Sequence, residues 1–316
     1  MACLDVAAKE RLAALCQLEK IPVLWDEPMK NHTSFKIGGP AAALCAPKDR
    51  QQLRELVGFV QREGVDSWYI GNGSNLLVSD KGLNGIAILL DSSFDGEIEV
   101  DGTVLLAPAG KKLSAVCAAA CAAGLTGLEF AYGIPGSVGG AVYMNAGAYG
   151  GEMKDRLLWV EYLAPTGEIV RLEQEQLSLS YRHSRFMEEG MEGSCIVRAA
   201  FGLQRGEKAA IQSEMDRILN QRRQKQPLEY PSAGSTFKRP QGAFAAQLID
   251  ECGLKGFTVG GAQVSEKHAG FIINRGGATA SDVAELMRQV QKTVQEREGV
   301  LLEPEIRLLG SFEEGM

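Results

Sequence analysis

The sequence predicts an α+β protein of more than one domain. Its 316 residues exceed what a single ordinary core organises, and a hydrophobic content of 45% supports cores of real size. Short strand-like apolar runs alternate with stretches of helical period along the chain. Between Gly124 and Gly151, nine glycines fall within 28 residues, interleaved with Phe130, Tyr132, Val138, Val142, Tyr143 and Met144. Glycine is entropically unfavourable in regular structure, so this stretch reads as ordered, tightly turned backbone passing close to something bulky. Small residues beside open N–H groups form a cradle for anions, phosphates above all. A large phosphate-bearing cofactor fits that description; plain packing of a turn-rich segment is the alternative.

The elements follow in order. Residues 5–19 have the pattern of an amphipathic helix, with Val6, Leu12, Leu15, Cys16 and Leu18 apolar. The polar stretch from Asn31 to Pro40 reads as irregular backbone turning into a strand at 41–46. A helix is expected at about 49–63, with Leu53, Leu56, Val57 and Val60 on one face and Gly64 as its stop. Residues 67–70 read as a buried strand that runs into Gly71-Asn72-Gly73-Ser74-Asn75. The first three of these begin like a dinucleotide-binding fingerprint, but its third glycine would fall at Leu76, and 76–78 reads as extended. The segment still offers backbone N–H groups and short polar side chains to a pyrophosphate, with a simple hairpin turn as the equal alternative.

Further strands are expected at 86–90, 98–100, 104–107 and 195–201, and a hairpin at 157–163 and 168–172. Helices are expected at 113–123, from about 205 to 225, at about 243–252, and at 281–298, where Val283, Leu286, Met287, Val290 and Val294 form a stripe. The composition shift at 205–208 places a domain edge near 203. Extended segments are expected around Gly260-Gly261 and at 271–274. A closing strand at 301–308 puts Glu303, Glu305 and Arg307 on one side and Leu302, Ile306 and Leu308 on the other, with Pro304 confining it to an edge or strand end.

Composition excludes several classes. A formal net charge of -7 and a pI near 5.3 argue against a nucleic-acid binder held by bulk electrostatics. No run of 18 apolar residues occurs, so no membrane span is expected. The first twenty residues carry charge throughout and lack a signal-peptide core. Seven cysteines, Cys3 among them, form no CxxC pair, which suits a reducing cytoplasm. Cys117 and Cys121 share a helix face without a nearby histidine, and His32, His183 and His268 lie far apart, so no metal is expected.

Ser235 lies between Gly234 and Thr236 without a nucleophile-elbow pattern, which argues against a hydrolase. Arg182, in the loop opened by Tyr181, is suited to a carboxylate or phosphate, or simply to the surface.

Taken together, Asn31-His-Thr-Ser-Phe-Lys-Ile-Gly-Gly, Ile70-Gly-Asn-Gly-Ser-Asn-Leu-Leu, Gly133-Ile-Pro-Gly-Ser-Val-Gly-Gly, Met144-Asn-Ala-Gly-Ala-Tyr-Gly, Tyr181-Arg182, Ala233-Gly-Ser-Thr-Phe-Lys-Arg-Pro and Leu302-Glu-Pro-Glu-Ile-Arg307 resemble the UDP-N-acetylenolpyruvoylglucosamine reductase family. The match runs from about residue 22 to the end. It implies an FAD-binding fold of the vanillyl-alcohol-oxidase type in two subdomains, followed by an α+β substrate domain. The implied plan is an N-terminal helix (1–20), FAD-binding subdomains at 21–92 and 93–203, and a substrate-binding domain at 204–316.

The implied reaction is NADPH-dependent, FAD-mediated reduction of UDP-N-acetylglucosamine enolpyruvate to UDP-N-acetylmuramate for peptidoglycan, in a cytoplasmic monomer. Hydride passes from reduced flavin to the enolpyruvyl methylene, and Ser235 hands a proton to the adjacent carbon. By resemblance Arg182 and Glu305 lie at the substrate carboxylate, while Arg239, with Arg223 or Lys225, binds the diphosphate and Tyr181 joins the substrate site. Ile70, Gly71, Asn72, Gly73, Ser74 and Asn75 are implied on the pyrophosphate side of a non-covalent FAD. Ile134, Pro135, Gly136, Ser137, Gly140, Ala146 and Gly147 are implied along the cofactor. The chain resembles the shorter branch of the family, without an insertion between Tyr181 and Arg205 to supply a substrate-covering tyrosine. An oxidase of small alcohols or sugars on the same fold, and a non-catalytic nucleotide-binding module, are the rival readings; neither calls for the Ser235, Arg182 and Glu305 set.

Overall fold

Helices α1 (Val6–Glu19), α2 (Arg50–Glu63) and α7 (Ala280–Glu298) start on a side chain and stop on a left-handed residue that serve the unpaired backbone groups. The computed structural model describes residues 4–312, so Cys3 lies outside it. Helix α1 (Val6–Glu19) begins on Asp5, whose carboxylate accepts from the Ala8 N–H at 2.7 Å. Helix α2 (Arg50–Glu63) begins on Asp49 in the same way and ends, as expected, on Gly64 at φ +64°. Helices α3 (Leu113–Ala122), α4 (Val138–Tyr143), α5 (Lys208–Lys225) and α6 (Ala245–Glu251) follow. In α7 (Ala280–Glu298) a capping box joins Thr279 and Asp282, Gly299 closes the last turn, and the apolar stripe is buried.

The chain divides into two compact units. The first holds the chain up to Trp25, Ala43–Asn72 and Gly85–Asn220. To its first sheet this unit contributes residues 23–25 of Val23–Pro28, 43–45 of Pro40–Cys45, 85–89 of Leu83–Leu89 and all of Ser67–Ile70, in that order, the last two strands parallel. Its second sheet is antiparallel, in the order Ile169–Glu173, Leu157–Leu163, Cys195–Gly202, Val104–Pro108 and Glu99–Asp101. Helix α4 packs on two of its strands, Cys195–Gly202 and Val104–Pro108. Cys117 of α3 donates to the Leu128 carbonyl at 3.2 Å, and burial pushes its pKa up to about 12, so it stays a thiol at neutral pH.

The second unit gathers Asp26–Ala42, Gly73–Asn84 and the chain from Gln221 onward. Strands Thr258–Val259, Ala262–Val264 and Ile272–Asn274 form an antiparallel sheet, against which α7 packs. Leu248, Ile249, Val283, Leu286, Val290 and Leu302 fill the core, and Phe35, Ile37 and Leu77 reach it from the N-terminal quarter of the sequence. Burying each such side chain contributes roughly 1.5–3 kcal/mol. The two excursions are therefore part of this core.

Two expectations need correction. The closing strand is not continuous from 301 to 308: Pro304, which has no N–H to give, makes a single bridge to Phe237, and regular pairing begins only at Arg307–Leu309, parallel to Leu76–Val78. The alternation survives, with Leu302 and Ile306 buried and Glu303 and Arg307 exposed. The glycine-rich stretch also contains helix α4, which its paired glycines concealed. The composition edge near 203 marks where polarity changes before α5, whereas the packing division lies at 220/221, inside that helix.

Asp80 anchors the start of α7. Its carboxylate accepts from Ala280 N–H at 2.7 Å, Ser281 N–H at 2.9 Å and the Ser281 hydroxyl at 2.7 Å. Asp80→Ala is expected to destabilise the protein by about 1–2 kcal/mol, the usual loss for a helix cap. Thermal unfolding checks this, and an unchanged midpoint rejects the role.

Candidate active site

Four stretches far apart in sequence meet in the second unit: residues 31–39, 73–75, 231–238 and 303–307. Ser34 N–H donates to the Gly73 carbonyl at 3.1 Å, and its hydroxyl donates to the Ser232 carbonyl at 2.7 Å. Thr236 is buried and committed on three sides. Its N–H donates to Gly270 O at 2.8 Å, its hydroxyl oxygen accepts from Ile272 N–H at 3.0 Å, and its carbonyl accepts from Glu305 N–H at 2.8 Å. Lys238 N–H then donates to Glu303 O at 2.8 Å, continuing the pairing. Ser235 and Glu305, seventy positions apart, are thus carried on two hydrogen-bonded backbones. Both are half-buried, a state that suits groups serving a ligand.

The residue before Ser235 is Gly234, at φ +78°, with nothing within 4 Å of where a Cβ would stand. The backbone there needs a left-handed residue and leaves open space beside the serine. Asn75 ties the phosphate-loop candidate to the same place. Its Nδ2 donates to Glu305 O at 3.1 Å and its carbonyl accepts from Arg307 N–H at 2.9 Å. Ser34 is a site-building residue that sequence reasoning missed as an individual, although the motif containing it was noticed.

The basic candidates occupy different surroundings in this unit. The Arg239 guanidinium stacks over Phe244, 4.7 Å from the ring centre. Arg223 and Lys225 lie exposed in the last turn of α5, and the Arg223 carbonyl accepts from Lys267 Nζ at 2.8 Å. Lys267, absent from the sequence-based set, adds a cation beside Arg223.

In the first unit, Gly71 and Asn72 lie against the loop 133–140. The Asn72 amide donates to the Pro135 carbonyl, and a Cβ on Gly71 would fall 2.1 Å from Ser137 Oγ. That loop is pinned to residues 109–113: Leu113 N–H donates to Gly136 O at 3.0 Å, and Val138 and Gly139 donate to Lys111 and Ala109 carbonyls at 2.9 Å. Part of the bulk inferred from the glycines is the protein itself. A Cβ on Gly151 would stand 2.6 Å from the Phe130 ring, and one on Gly147 would stand 2.8 Å from Glu152 Cγ.

Tyr181 and Arg182 form the tip of a two-residue turn closed by Ser180 and His183, whose backbones exchange hydrogen bonds at 3.1 and 3.2 Å. Arg182 has φ +54°, and its guanidinium lies 5.0 Å from the Tyr181 ring centre. The turn rests on Asn145, which is fully buried. The Asn145 Nδ2 donates at 2.9 Å to both Ser180 O and a Glu152 carboxylate oxygen, and its Oδ1 accepts from Lys154 N–H at 2.9 Å. The Glu152 carboxylate is held below its ordinary pKa, first by its hydrogen bond to Lys154, then by Asn145, with the Arg182 charge adding to them.

Whether this chain fits a phosphate-bearing cofactor is tested by its backbone donors. Among the described residues, none of the N–H groups of Gly71, Asn72, Gly73, Ser74 and Asn75 donates to another backbone carbonyl. Backbone donors are rarely left without an acceptor, so Gly71 and Asn72 in the first unit, and separately Gly73, Ser74 and Asn75 in the second, suit an anionic ligand.

Comparison with known proteins agrees with this chemistry. A family model described as FAD binding domain matches residues 41–173, and one described as UDP-N-acetylenolpyruvoylglucosamine reductase, C-terminal domain, matches residues 226–309. The UDP-N-acetylenolpyruvoylglucosamine reductase of Caldanaerobacter subterraneus subsp. tengcongensis is 48% identical over 285 residues, covering 90% of this chain and 93% of that protein. The protein of the same name from Enterococcus faecalis is 48% identical over 299 residues, covering 94% and 98%. The crystal structure of the Thermus caldophilus reductase matches with a TM-score of 0.77 and 36% identity, over 92% of this chain and 99% of that one. The chain belongs to the UDP-N-acetylenolpyruvoylglucosamine reductase family and is a flavin-dependent oxidoreductase.

Proposed function

We propose that this enzyme reduces UDP-N-acetylglucosamine enolpyruvate to UDP-N-acetylmuramate in the cytoplasm, with NADPH as the source of electrons and Ser235, Arg182 and Glu305 as the catalytic set. The observation that carries the assignment is the backbone pairing of Thr236 with Glu305 in the second unit, which gives Ser235 and Glu305 a common, rigid support.

Bound FAD supplies the two-electron chemistry, and the protein supplies position and protons. Gly71, Asn72, Gly73, Ser74 and Asn75 would hold the cofactor's pyrophosphate through their backbone N–H groups. Ile70, Ile134, Pro135, Gly136, Ser137, Gly140, Ala146 and Gly147 would line the rest of its path. Hydride addition at the enolpyruvyl methylene leaves negative charge shared between the neighbouring carbon and its carboxylate. The Arg182 guanidinium stabilises that charge, and Glu305, when protonated, donates to the same carboxylate. Ser235 Oγ holds the proton that completes the reduction. A hydroxyl is a weak acid, but it is sufficient when the acceptor is a strongly basic carbon held within hydrogen-bond reach. The region 204–316 handles the sugar nucleotide, with Arg239, Arg223, Lys225 and Tyr181 as its contacts.

Anaerobic mixing tests the assignment. The yellow of the oxidised flavin disappears with NADPH and returns on adding the enolpyruvyl sugar nucleotide; colour that fails to return rejects the substrate. Arg239→Ala is expected to raise KM for that substrate about 10- to 100-fold with kcat little changed, as for the loss of a charge-assisted hydrogen bond. An unchanged KM removes Arg239 from the diphosphate.

A further inference from the structure

Arg182 sits where a turn of this shape favours glycine or asparagine. Ser180 and His183 close the turn, and the left-handed φ of +54° falls at its third residue, as in a type II turn. A side chain in that conformation is strained, and such strain persists only where the surroundings impose it. The surroundings here are specific. Asn145 is itself left-handed at φ +40°, a conformation asparagine tolerates, and its side chain is wholly removed from solvent. One carboxamide reaches three groups on two segments: the carbonyl that opens the turn, and the Glu152 carboxylate and Lys154 N–H. A second strut, from the Ser184 hydroxyl to the Tyr143 carbonyl at 2.7 Å, fixes the other side of the turn.

We propose that Asn145 is the positioning residue for Arg182: it clamps the Ser180 carbonyl and aligns Glu152, so that the guanidinium is presented in one orientation. This rests on the assignment of Arg182 to the substrate carboxylate. Asparagine is suited to the task because the carbonyl of Ser180 and the carboxylate of Glu152 both need a donor, while Lys154 N–H needs an acceptor. Aspartate has the same shape but faces two oxygen acceptors with a third. The Glu152 charge also acts on Arg182, since the two attract electrostatically.

The test uses Asn145→Asp, Arg182→Ala and the double variant, each loaded with FAD. Asn145→Asp is expected to leave bleaching of the flavin by NADPH within about twofold of wild type and to slow its recolouring by UDP-N-acetylglucosamine enolpyruvate about tenfold or more, the usual consequence of an unmet buried hydrogen bond. In the Arg182→Ala background it should add nothing, because residues that act through one another are not additive. Backbone hydrogen exchange in the cofactor-free protein gives a readout independent of turnover: Asn145→Asp should release the His183 N–H, which closes the turn. Equal slowing of both half-reactions, an effect that multiplies with Arg182→Ala, or unchanged exchange at His183 overturns the proposal. If Arg182→Ala itself leaves recolouring unchanged, the assignment of Arg182 is what fails. If Asn145→Asp does not fold, Ser184→Ala, which removes the other strut, should show the same split between half-reactions; its failure to do so also overturns the proposal.

Discussion

Replacing Ser235 with alanine is expected to leave reduction of the flavin by NADPH intact and to slow the following reduction of the enolpyruvyl substrate by about 10²- to 10⁴-fold, the range typical of a lost general acid. The substitution removes one oxygen and little else. The backbone on either side is held by Gly234 and by the three bonds of Thr236, none of which uses the serine side chain. Rapid mixing separates the two half-reactions, and the solvent isotope effect on the second should change with the proton source. An equal decline in both steps assigns Ser235 to structure, and no decline in the second assigns the proton to another group.

Gly73→Ala should be the most damaging single change in the phosphate loop. A Cβ there would stand 2.0 Å from the His32 carbonyl oxygen and 3.0 Å from Thr33 Cα, both backbone atoms. The residue is also at φ +60°. Strain of about 1–2 kcal/mol in that conformation adds to an overpacking term of about 1–3 kcal/mol. Neither side can easily move, because Ser34 N–H is bonded to the Gly73 carbonyl at 3.1 Å. The purified variant is expected to be colourless or nearly so and to melt well below wild type. Gly234→Ala is the control: it carries a similar φ of +78° but has no neighbour within 4 Å, so only the conformational strain remains. If the two variants retain flavin equally, the close approach at Gly73 is not what shapes the loop.

These contrasts show which parts of the molecule could be read from residue order. Helix α7 was legible from its apolar stripe, and the capping box and terminal glycine seen in the structure agree with it. The strand at Ser67–Ile70 and the turn after it were legible for a similar reason, an apolar run ended by Gly71-Asn72-Gly73. The closing strand was read as too long because alternation extends through 302–308 whether or not the backbone is paired, and pairing is decided by a partner some 230 residues earlier. Helix α4 was hidden because two glycines in six residues oppose helix propensity, and its packing on Cys195–Gly202 overrides them. Ser235, Arg182 and Glu305 drew attention through family resemblance, since a lone serine or arginine carries no pattern of its own. Asn145 was noticed only as part of the motif that opens at Met144, with no role of its own: a buried asparagine bonded to three groups looks, in one dimension, like an ordinary loop residue.

The second unit is assembled from three separate lengths of chain, and this bears on its birth at the ribosome. Leu76–Val78 is made early but has no strand partner until Arg307–Leu309 emerges at the far end of synthesis. Phe35 and Ile37 likewise wait for the helices that will cover them. Contacts of such long sequence separation form slowly, and until they form, apolar segments remain available to chaperones and to one another. Premature termination near the C-terminus should therefore forfeit far more than a tail: the nascent early segments would have no core to join.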